Sequence, residues 1–191
     1  MVQNIQGKLQ NVSTPVAQIE RMLAEGDTIS HTERPMEIFK LDELLNDTTA
    51  LLSNELKAAA SIELDQSMAD IAVKANRISL LQVFENLLIN AAESIQQSGT
   101  TSGKIDIIAN TEEVNGKDTV HVTVRDNGSG IEPDHLERIF ERGFSTKQAD
   151  HSGLGLHWCA NTLIAANGRI YAESQGPGQG ACFHVMVPNN L

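Results

Sequence analysis

A strand that ends in a carboxylate and leads directly into a glycine-containing turn is the feature that most constrains this chain. Apolar and polar residues alternate over Val120–Val124, which is the pattern of a strand with one buried face. Asp126 ends this strand, and Gly128 and Gly130 follow it. Because glycine has no Cβ, the backbone of such a turn can approach a flat ligand closely. The Asp126 carboxylate is then placed to accept a hydrogen bond from an exocyclic amine.

A second pair of glycines, Gly153 and Gly155, stands at the start of an apolar helical pattern. The spacing predicts a helix over residues 154–166. The free N–H groups and the dipole at the start of a helix favour phosphate. The turn after Asp126 would therefore bind a base, and this second segment would bind the attached phosphates.

A third segment is an apolar helix, predicted over Ile78–Gln97, that carries two asparagines. Asn86 and Asn90 are four residues apart and therefore lie on one face of that helix. A single asparagine in a helix is usually a surface residue, but two of them among leucines and isoleucines indicate a functional site.

These stretches together resemble the adenine-nucleotide site of sensor histidine kinases, within the superfamily shared with DNA gyrase, the mismatch-repair ATPases and a heat-shock chaperone. The two asparagines stand in the asparagine box of that family, Asp126–Gly130 in the first glycine box and Gly153–Gly155 in the second. Gly178–Gly180 matches a last glycine pair, and Ile139–Lys147 matches the phenylalanine-containing box of the kinase branch. The resemblance runs from about Leu41 to Pro188, in the order of the family.

The resemblance implies that the chain binds ATP and Mg²⁺. Asn90 would present its amide oxygen to the metal, and Asn86 would bind phosphate or a metal-bound water. The loop over residues 142–152 would cover the triphosphate, with Lys147 and Arg142 as cations that could meet the phosphates. The other expected nucleotide-binding residues are Asp126, Gly128, Gly130, Ser152, Gly153, Leu154, Gly155 and Leu156.

Catalysis in this family depends on what lies one helical turn before the metal-binding asparagine. The gyrase and chaperone branches have an acid there that activates water, whereas this chain has Asn86. A neutral amide cannot take a proton, so we expect slow ATP hydrolysis and phosphoryl transfer to a better nucleophile. Glu85 is the candidate acid that would assist the acceptor histidine, beside Asn86 and Lys147 as the other candidate catalytic residues.

Composition limits the partners and the compartment. Fourteen basic against twenty-five acidic residues give a net charge of −11, which argues against a nucleic-acid partner and favours metal-assisted ATP binding. Cys159 and Cys182 have no paired spacing, so we expect two buried thiols in a reducing compartment. The apolar runs are far shorter than a membrane span. We expect a cytoplasmic fragment outside the membrane, whose parent protein is either free or anchored to the inner membrane.

The predicted fold class is α+β, a two-layer α/β sandwich of the Bergerat type with a mixed sheet, preceded by an N-terminal helix. Residues 1–30 carry an apolar seam typical of the end of a dimerisation hairpin, residues 31–40 form a linker, and residues 41–191 form the catalytic domain. The expected elements are helices over 41–59, 78–97, 133–140 and 154–166, and strands over 61–64, 71–73, 104–111, 118–126, 169–174 and 181–187.

The resemblance implies the catalytic ATP-binding portion of a two-component sensor histidine kinase, which transfers the γ-phosphoryl group to a histidine on a segment missing from this chain. His31 fits the acceptor pattern poorly and is interpreted as a linker residue. The partners would be a response regulator and the protein's own dimerisation and phosphotransfer segment, in a full-length homodimer. Two alternatives remain, a serine protein kinase of the anti-sigma-factor type and a nucleotide-sensing module without catalysis.

Overall fold

Alternating strands and helices build a mixed five-stranded sheet. Its strands are Ser61–Leu64 (β2), Lys104–Val114 (β4), Lys117–Asp126 (β5), Arg169–Glu173 (β6) and Ala181–Pro188 (β7). The computed structural model describes residues 35–147, 152–189 and 191, and it gives the strand order β2-β4-β5-β7-β6. The β2–β4 pair is parallel and the other three pairs are antiparallel. The predicted mixed sheet is therefore confirmed.

One face of this sheet carries the core. The valines at 120, 122 and 124 on β5 are buried, whereas His121, Thr123 and Arg125 retain exposure on the other face. The helices are Leu41–Leu51 (α1), Asn54–Ala59 (α2), Arg77–Ser98 (α3) and Gly155–Ala165 (α4). From α3, Phe84, Leu87 and Leu88 are fully buried in the same hydrophobic cluster as the valines. Helices therefore form one layer and the sheet the other, as predicted.

The long helix α3 has defined ends. The Oδ1 atom of Asn76 accepts a hydrogen bond from the backbone N–H of Ser79 at 2.8 Å, which satisfies one free donor of the first turn. Gly99 ends the helix with a φ of 68°, a left-handed conformation that glycine adopts without a steric penalty. These caps fix the position of α3 along the sheet, and with it the position of both asparagines.

The hairpin between β4 and β5 forms where the sequence predicts it. Asn115 and Gly116 have φ values of 52° and 75°, as a two-residue turn between antiparallel strands requires. The strands are longer than predicted, because the pairing continues up to Val114 and Lys117 beside the turn. The register of this hairpin places Asp126 opposite Ile105, at the far end of the strand from the turn.

Five elements differ from the expectations. The predicted helix over 41–59 is two helices, because Leu52 and Ser53 are extended and the Ser53 side chain caps α2. The strand expected over 71–73 is Ala72–Ala75 (β3). The helix expected over 133–140 is two short 3₁₀ helices, Pro133–His135 and Arg138–Phe140, and a third 3₁₀ helix covers Gln66–Asp70.

The fifth difference lies in the segment assigned to the linker. Glu37–Lys40 (β1) forms a strand that pairs antiparallel with β3 in a separate two-stranded sheet. Phe39 of this strand is buried in the core, so the strand belongs to the folded unit rather than to a connection. The predicted helix over residues 1–30 lies outside the described residues.

The expectations about membrane spans and cysteines can be compared with the structure. None of the described helices is long and apolar enough to cross a membrane. Both cysteines are free thiols; Cys159 is buried, as expected, whereas Cys182 is only half-buried. Burial raises the pKa of Cys159 to about 12, which makes it an unreactive part of the core.

The C-terminal residue pair 188–189 is held against β3 by a side chain that the sequence does not single out. Asn189 is buried, its Oδ1 atom accepts the backbone N–H of Lys74 at 3.0 Å, and its Nδ2 atom donates to the carbonyl of Ala72 at 2.9 Å. The amide therefore pairs with both kinds of backbone group on β3 and connects the small sheet to the end of β7.

We predict that Asn189→Ala destabilises the fold by about 1–3 kcal/mol, because it removes two part-buried hydrogen bonds and leaves the N–H of Lys74 and the carbonyl of Ala72 without this partner. Urea unfolding followed by circular dichroism measures this change. Asn110→Ala, at an exposed position on β4, is the matched control and should change the free energy of unfolding by less than about 0.5 kcal/mol. Equal stability of the two variants would contradict the assigned role of Asn189.

Candidate nucleotide-binding site

The Asp126 carboxylate is buried at the end of β5. It exposes 5% of its surface, and its Oδ1 atom accepts the backbone N–H of Gly128 at 2.8 Å. The hydroxyl of Ser94, on α3, donates to the same oxygen at 3.4 Å. A strand, a turn and a helix thus converge on one carboxylate, and this geometry fixes the direction in which it can accept a further hydrogen bond.

The environment of Asp126 changes its acidity. Burial raises the pKa of Asp126 above its ordinary value of 3.8, although the N–H groups of Gly128 and Ala181, the Ser94 hydroxyl and the charge of Lys147 each lower it. A carboxylate held out of water in this way is a strong acceptor for a ligand N–H that replaces water.

The turn after Asp126 packs tightly between α3 and the loop that joins β6 to β7. A Cβ at Gly128 would clash with the hydroxyl of Ser94 and would lie 2.6 Å from the Ser94 carbonyl carbon. Gly130 has a φ of 72°, and a Cβ there would clash with the carbonyl of Gly176. Close packing therefore requires glycine at both predicted positions, and at Gly130 the left-handed φ requires it as well.

Ser94 and Ser174, which were not among the predicted site residues, hold this turn in place. The Ser94 hydroxyl accepts the backbone N–H of Ser129 at 3.0 Å. The Ser174 hydroxyl accepts the N–H of Ile131 at 3.0 Å and donates to the carbonyl of Gly180 at 2.7 Å. The Gly178 N–H donates to the carbonyl of Ser129 at 2.6 Å, so the last glycine pair is part of the same structure.

The two asparagines of α3 are half-buried and differ in their contacts. The Nδ2 atom of Asn86 donates to the carbonyl of Gln82 at 3.0 Å. A Cβ at Gly155 would lie 3.2 Å from the Oδ1 atom of Asn86, so that oxygen faces the start of α4. The Oδ1 atom of Asn90 accepts a hydrogen bond from the Nζ atom of Lys147 at 3.2 Å. The structure therefore brings together Asn90 and Lys147, which are far apart in the sequence.

Lys147 also forms a close ion pair with Glu93, three residues after Asn90 on α3. The side chains of Lys147 and Glu93 are 18% and 23% exposed, so the pair is largely shielded from water. The sequence presents Glu93 only as an acid on the asparagine helix. A signal for this contact could have been its position one turn from Asn90 together with a cation in the following loop.

The glycines at the start of α4 form the other end of the site. The N-cap residue Leu154 makes no side-chain capping hydrogen bond, so the first-turn N–H groups of α4 have no side-chain cap. Gly153 has a φ of 64°, and its carbonyl accepts the N–H of Gly143 at 3.1 Å. Ser152 is exposed and Leu156 is half-buried. Residues 148–151 of the predicted lid lie outside the described residues.

Two further predicted site residues are Arg142 and Glu85. Arg142 is exposed. Glu85 is half-buried, and burial raises its pKa above the ordinary value of 4.5, which makes its carboxylate a better proton acceptor. Among the described residues no hydrogen bond or ion pair joins Glu85 to Asn86, Asn90 or Lys147.

The described part of the chain contains no group of three or more histidine, cysteine or acidic side chains that could hold a metal ion. A magnesium ion that also binds phosphate oxygens and water needs only one or two protein ligands. The Oδ1 atom of Asn90 fits that requirement, since it already accepts a hydrogen bond from a cation, the ammonium group of Lys147.

Comparison with known proteins agrees with this geometry. The family of histidine kinase-, DNA gyrase B- and HSP90-like ATPases matches residues 75–191. Sporulation kinase A of Bacillus subtilis is 31% identical over 180 residues, which cover 93% of this chain and 28% of the kinase. The phytochrome-like protein Cph1 of Synechocystis is 35% identical over 143 residues, which cover 69% of this chain and 18% of Cph1.

Solved structures show the same fold. The catalytic domain of histidine kinase ThkA, in a nucleotide-free form, has a TM-score of 0.66 and 28% identity, and the match covers 81% of this chain and 96% of that domain. Full-length ShkA in complex with AMPPNP has a TM-score of 0.68 and 26% identity over 82% of this chain and 32% of ShkA. The chain thus matches a whole catalytic domain but less than a third of the curated relatives. It belongs to the family of histidine kinase-, DNA gyrase B- and HSP90-like ATPases.

Proposed function

We propose that this chain is the catalytic ATP-binding part of a two-component sensor histidine kinase, which transfers the γ-phosphoryl group of Mg–ATP to a histidine on another segment. The buried carboxylate of Asp126 beside the Gly128 turn is the observation that carries this proposal. It offers a fixed acceptor for an exocyclic amine next to a turn that contains Gly128 and Gly130. The named relatives, which include sensor histidine kinase ZraS and sporulation kinase A, support the assignment.

In this proposal each part of the site has one task. Asp126 accepts the adenine amine, and the N–H groups at the start of α4 bind phosphate oxygens. Asn90 would hold the magnesium ion, which neutralises phosphate charge when bound. Lys147 would move to the phosphates and add a positive charge there. The Asn86 side chain projects from α3 toward Gly155, where it would orient a phosphate or a metal-bound water.

The same side chains favour transfer of the phosphoryl group to a histidine over hydrolysis of ATP. Asn86 cannot accept a proton from water, so the site contains no base one turn before Asn90. Glu85 would take the proton of the acceptor histidine, and its raised pKa would help it to hold that proton.

The partners are proposed from the relatives. ThkA, which has been solved in complex with the response regulator TrrA, aligns with 92% of this chain at 25% identity and a TM-score of 0.63. We therefore propose a response regulator as partner, together with the protein's own dimerisation and phosphotransfer segment in a homodimer. The expected location is the cytoplasm.

We predict that Asp126→Asn weakens Mg–ADP binding by about 1.5–3 kcal/mol, roughly 10- to 150-fold, because the charged acceptor for the adenine amine is lost. Titration calorimetry measures the affinity. Asp118→Asn, at an exposed position beside the β4–β5 turn, is the matched control and should bind as the wild type does. Unchanged affinity in Asp126→Asn would remove the basis of the proposed function.

The same substitution should act differently on stability. Burial raises the pKa of Asp126, so at pH values between 3.8 and the raised pKa the folded chain keeps a proton that the unfolded chain has lost. The stability from this group is present below pH 3.8 and is lost as the pH rises through the folded-state pKa. We predict that the stability of Asp126→Asn relative to the wild type increases as the pH rises from 3.8 through the folded-state pKa, measured by urea unfolding. A relative decrease would identify the ionised carboxylate as a structural group.

Phosphoryl transfer tests the activity. With a supplied dimerisation hairpin that carries the acceptor histidine, we expect acid-labile phosphate on that hairpin, and we expect Asn90→Ala to reduce its formation at least about 100-fold while circular dichroism stays unchanged. Asn46→Ala, at an exposed position on α1, is the control. Acid-stable phosphate on serine would instead favour the serine kinase, and Mg-independent nucleotide binding by the wild type would assign Asn90 a structural role.

A further inference from the structure

We propose that the ammonium group of Lys147, held by Glu93, occupies the position of the divalent cation at Asn90 whenever the nucleotide is absent. The nucleotide site would then contain a built-in counter-ion that the metal must displace. This inference rests on the proposed function, because it assigns Asn90 as the metal ligand. It adds Glu93 as a positioning residue that acts through Lys147.

Two contacts of Lys147 and the spacing of their partners on α3 support this arrangement. The Nζ atom of Lys147 lies 3.2 Å from the Oδ1 atom of Asn90, and it forms a close ion pair with the Oε2 atom of Glu93. Asn90 and Glu93 are three residues apart on α3, so their side chains project from neighbouring turns of one side of the helix. The ammonium is thus placed between an amide oxygen and a carboxylate oxygen, which are two ligand types that Mg²⁺ prefers.

An ammonium and a divalent cation cannot share this position. Both need the same oxygen of Asn90, and two cations at that separation repel each other strongly where little water screens them. The pair is well shielded, since Lys147 is 18% and Glu93 is 23% exposed. Free metal alone offers Lys147 no alternative anion, whereas Mg–ATP brings phosphates that can accept the ammonium.

The arrangement therefore predicts an order of events. The nucleotide-free chain rejects free divalent cations, and the metal enters only together with a polyphosphate. Lys147 is then released toward the phosphates at the same time as Asn90 becomes available to the metal. Glu93 holds Lys147 beside Asn90 until that exchange, and its carboxylate remains next to the metal position afterwards.

Electron paramagnetic resonance of Mn²⁺, used as a probe for Mg²⁺, tests this on the full chain without nucleotide. Lys147→Gln removes the positive charge beside Asn90, and we expect it to bind Mn²⁺ at least tenfold more tightly than the wild type. Lys147→Arg keeps the charge and should bind as weakly as the wild type. The double variant Lys147→Gln/Glu93→Gln should lose the gain, because the carboxylate ligand is gone. Lys117→Gln, in the exposed β4–β5 hairpin, is the matched control.

Equal Mn²⁺ affinity of the wild type and Lys147→Gln would overturn the proposal, and so would a gain that persists in the double variant. Tight Mn²⁺ binding by the wild type that Asn90→Ala removes would overturn it without relying on the lysine variants, should they fail to fold. ADP affinity measured on the same wild-type sample separates the two proposals. Absent ADP binding contradicts the function, whereas the Mn²⁺ comparison contradicts only the role of Lys147 and Glu93.

Discussion

The hydrogen bond from the backbone N–H of Gly128 to the carboxylate of Asp126 joins the end of β5 to the turn on which the site depends. It satisfies an oxygen that is otherwise held out of water, and it sets the path of the turn. That path brings Gly128 against Ser94 so closely that no other residue would fit without a backbone shift. The end of the site proposed to bind the base is thus a consequence of how one strand terminates against one helix.

The two ends of the site differ in how their charged side chains are compensated. At the end proposed to bind the base, the Asp126 carboxylate is buried, and its pKa is raised as a result. At the end proposed to bind phosphate, Lys147 pairs with Glu93 and lies beside Asn90. In a chain with a net charge of −11, a polyphosphate would meet unfavourable long-range repulsion. The proposed exchange of Lys147 from Glu93 to the phosphates, together with a metal ion, would offset that repulsion locally.

The sequence predicts most accurately those elements that a short residue pattern determines by itself. The alternation over Val120–Val124 and the Asn115–Gly116 turn determine strand, face and hairpin register because each depends only on neighbouring residues. Prediction from the sequence failed where one or two side chains decide between two similar backbone conformations. Leu52 and Ser53 break a pattern that is compatible with one long helix. Serine favours caps, but its cost in a helix interior is small, so its presence at position 53 does not by itself predict the break.

The residues of the candidate site also fall into two groups, those that the sequence predicts and those that it does not. Asp126, Asn90 and the paired glycines could be identified because their residue types are unusual at their positions. Ser94, Ser174 and Glu93 could not, since serine and glutamate are common on helices and in turns, and their roles arise from contacts between segments distant in the sequence. Only the packing of α3 against the turn and the loop reveals them. The predicted lid stays a prediction for residues 148–151.

The most direct test of the account is the affinity of the chain for ADP compared with IDP, which has a carbonyl in place of the exocyclic amine. Both nucleotides are titrated with magnesium into the wild type by calorimetry. If Asp126 accepts that amine, ADP should bind more tightly by about 1.5–3 kcal/mol, since IDP would leave the buried carboxylate facing another acceptor. Equal affinities for ADP and IDP would contradict the central claim that this carboxylate recognises the adenine base.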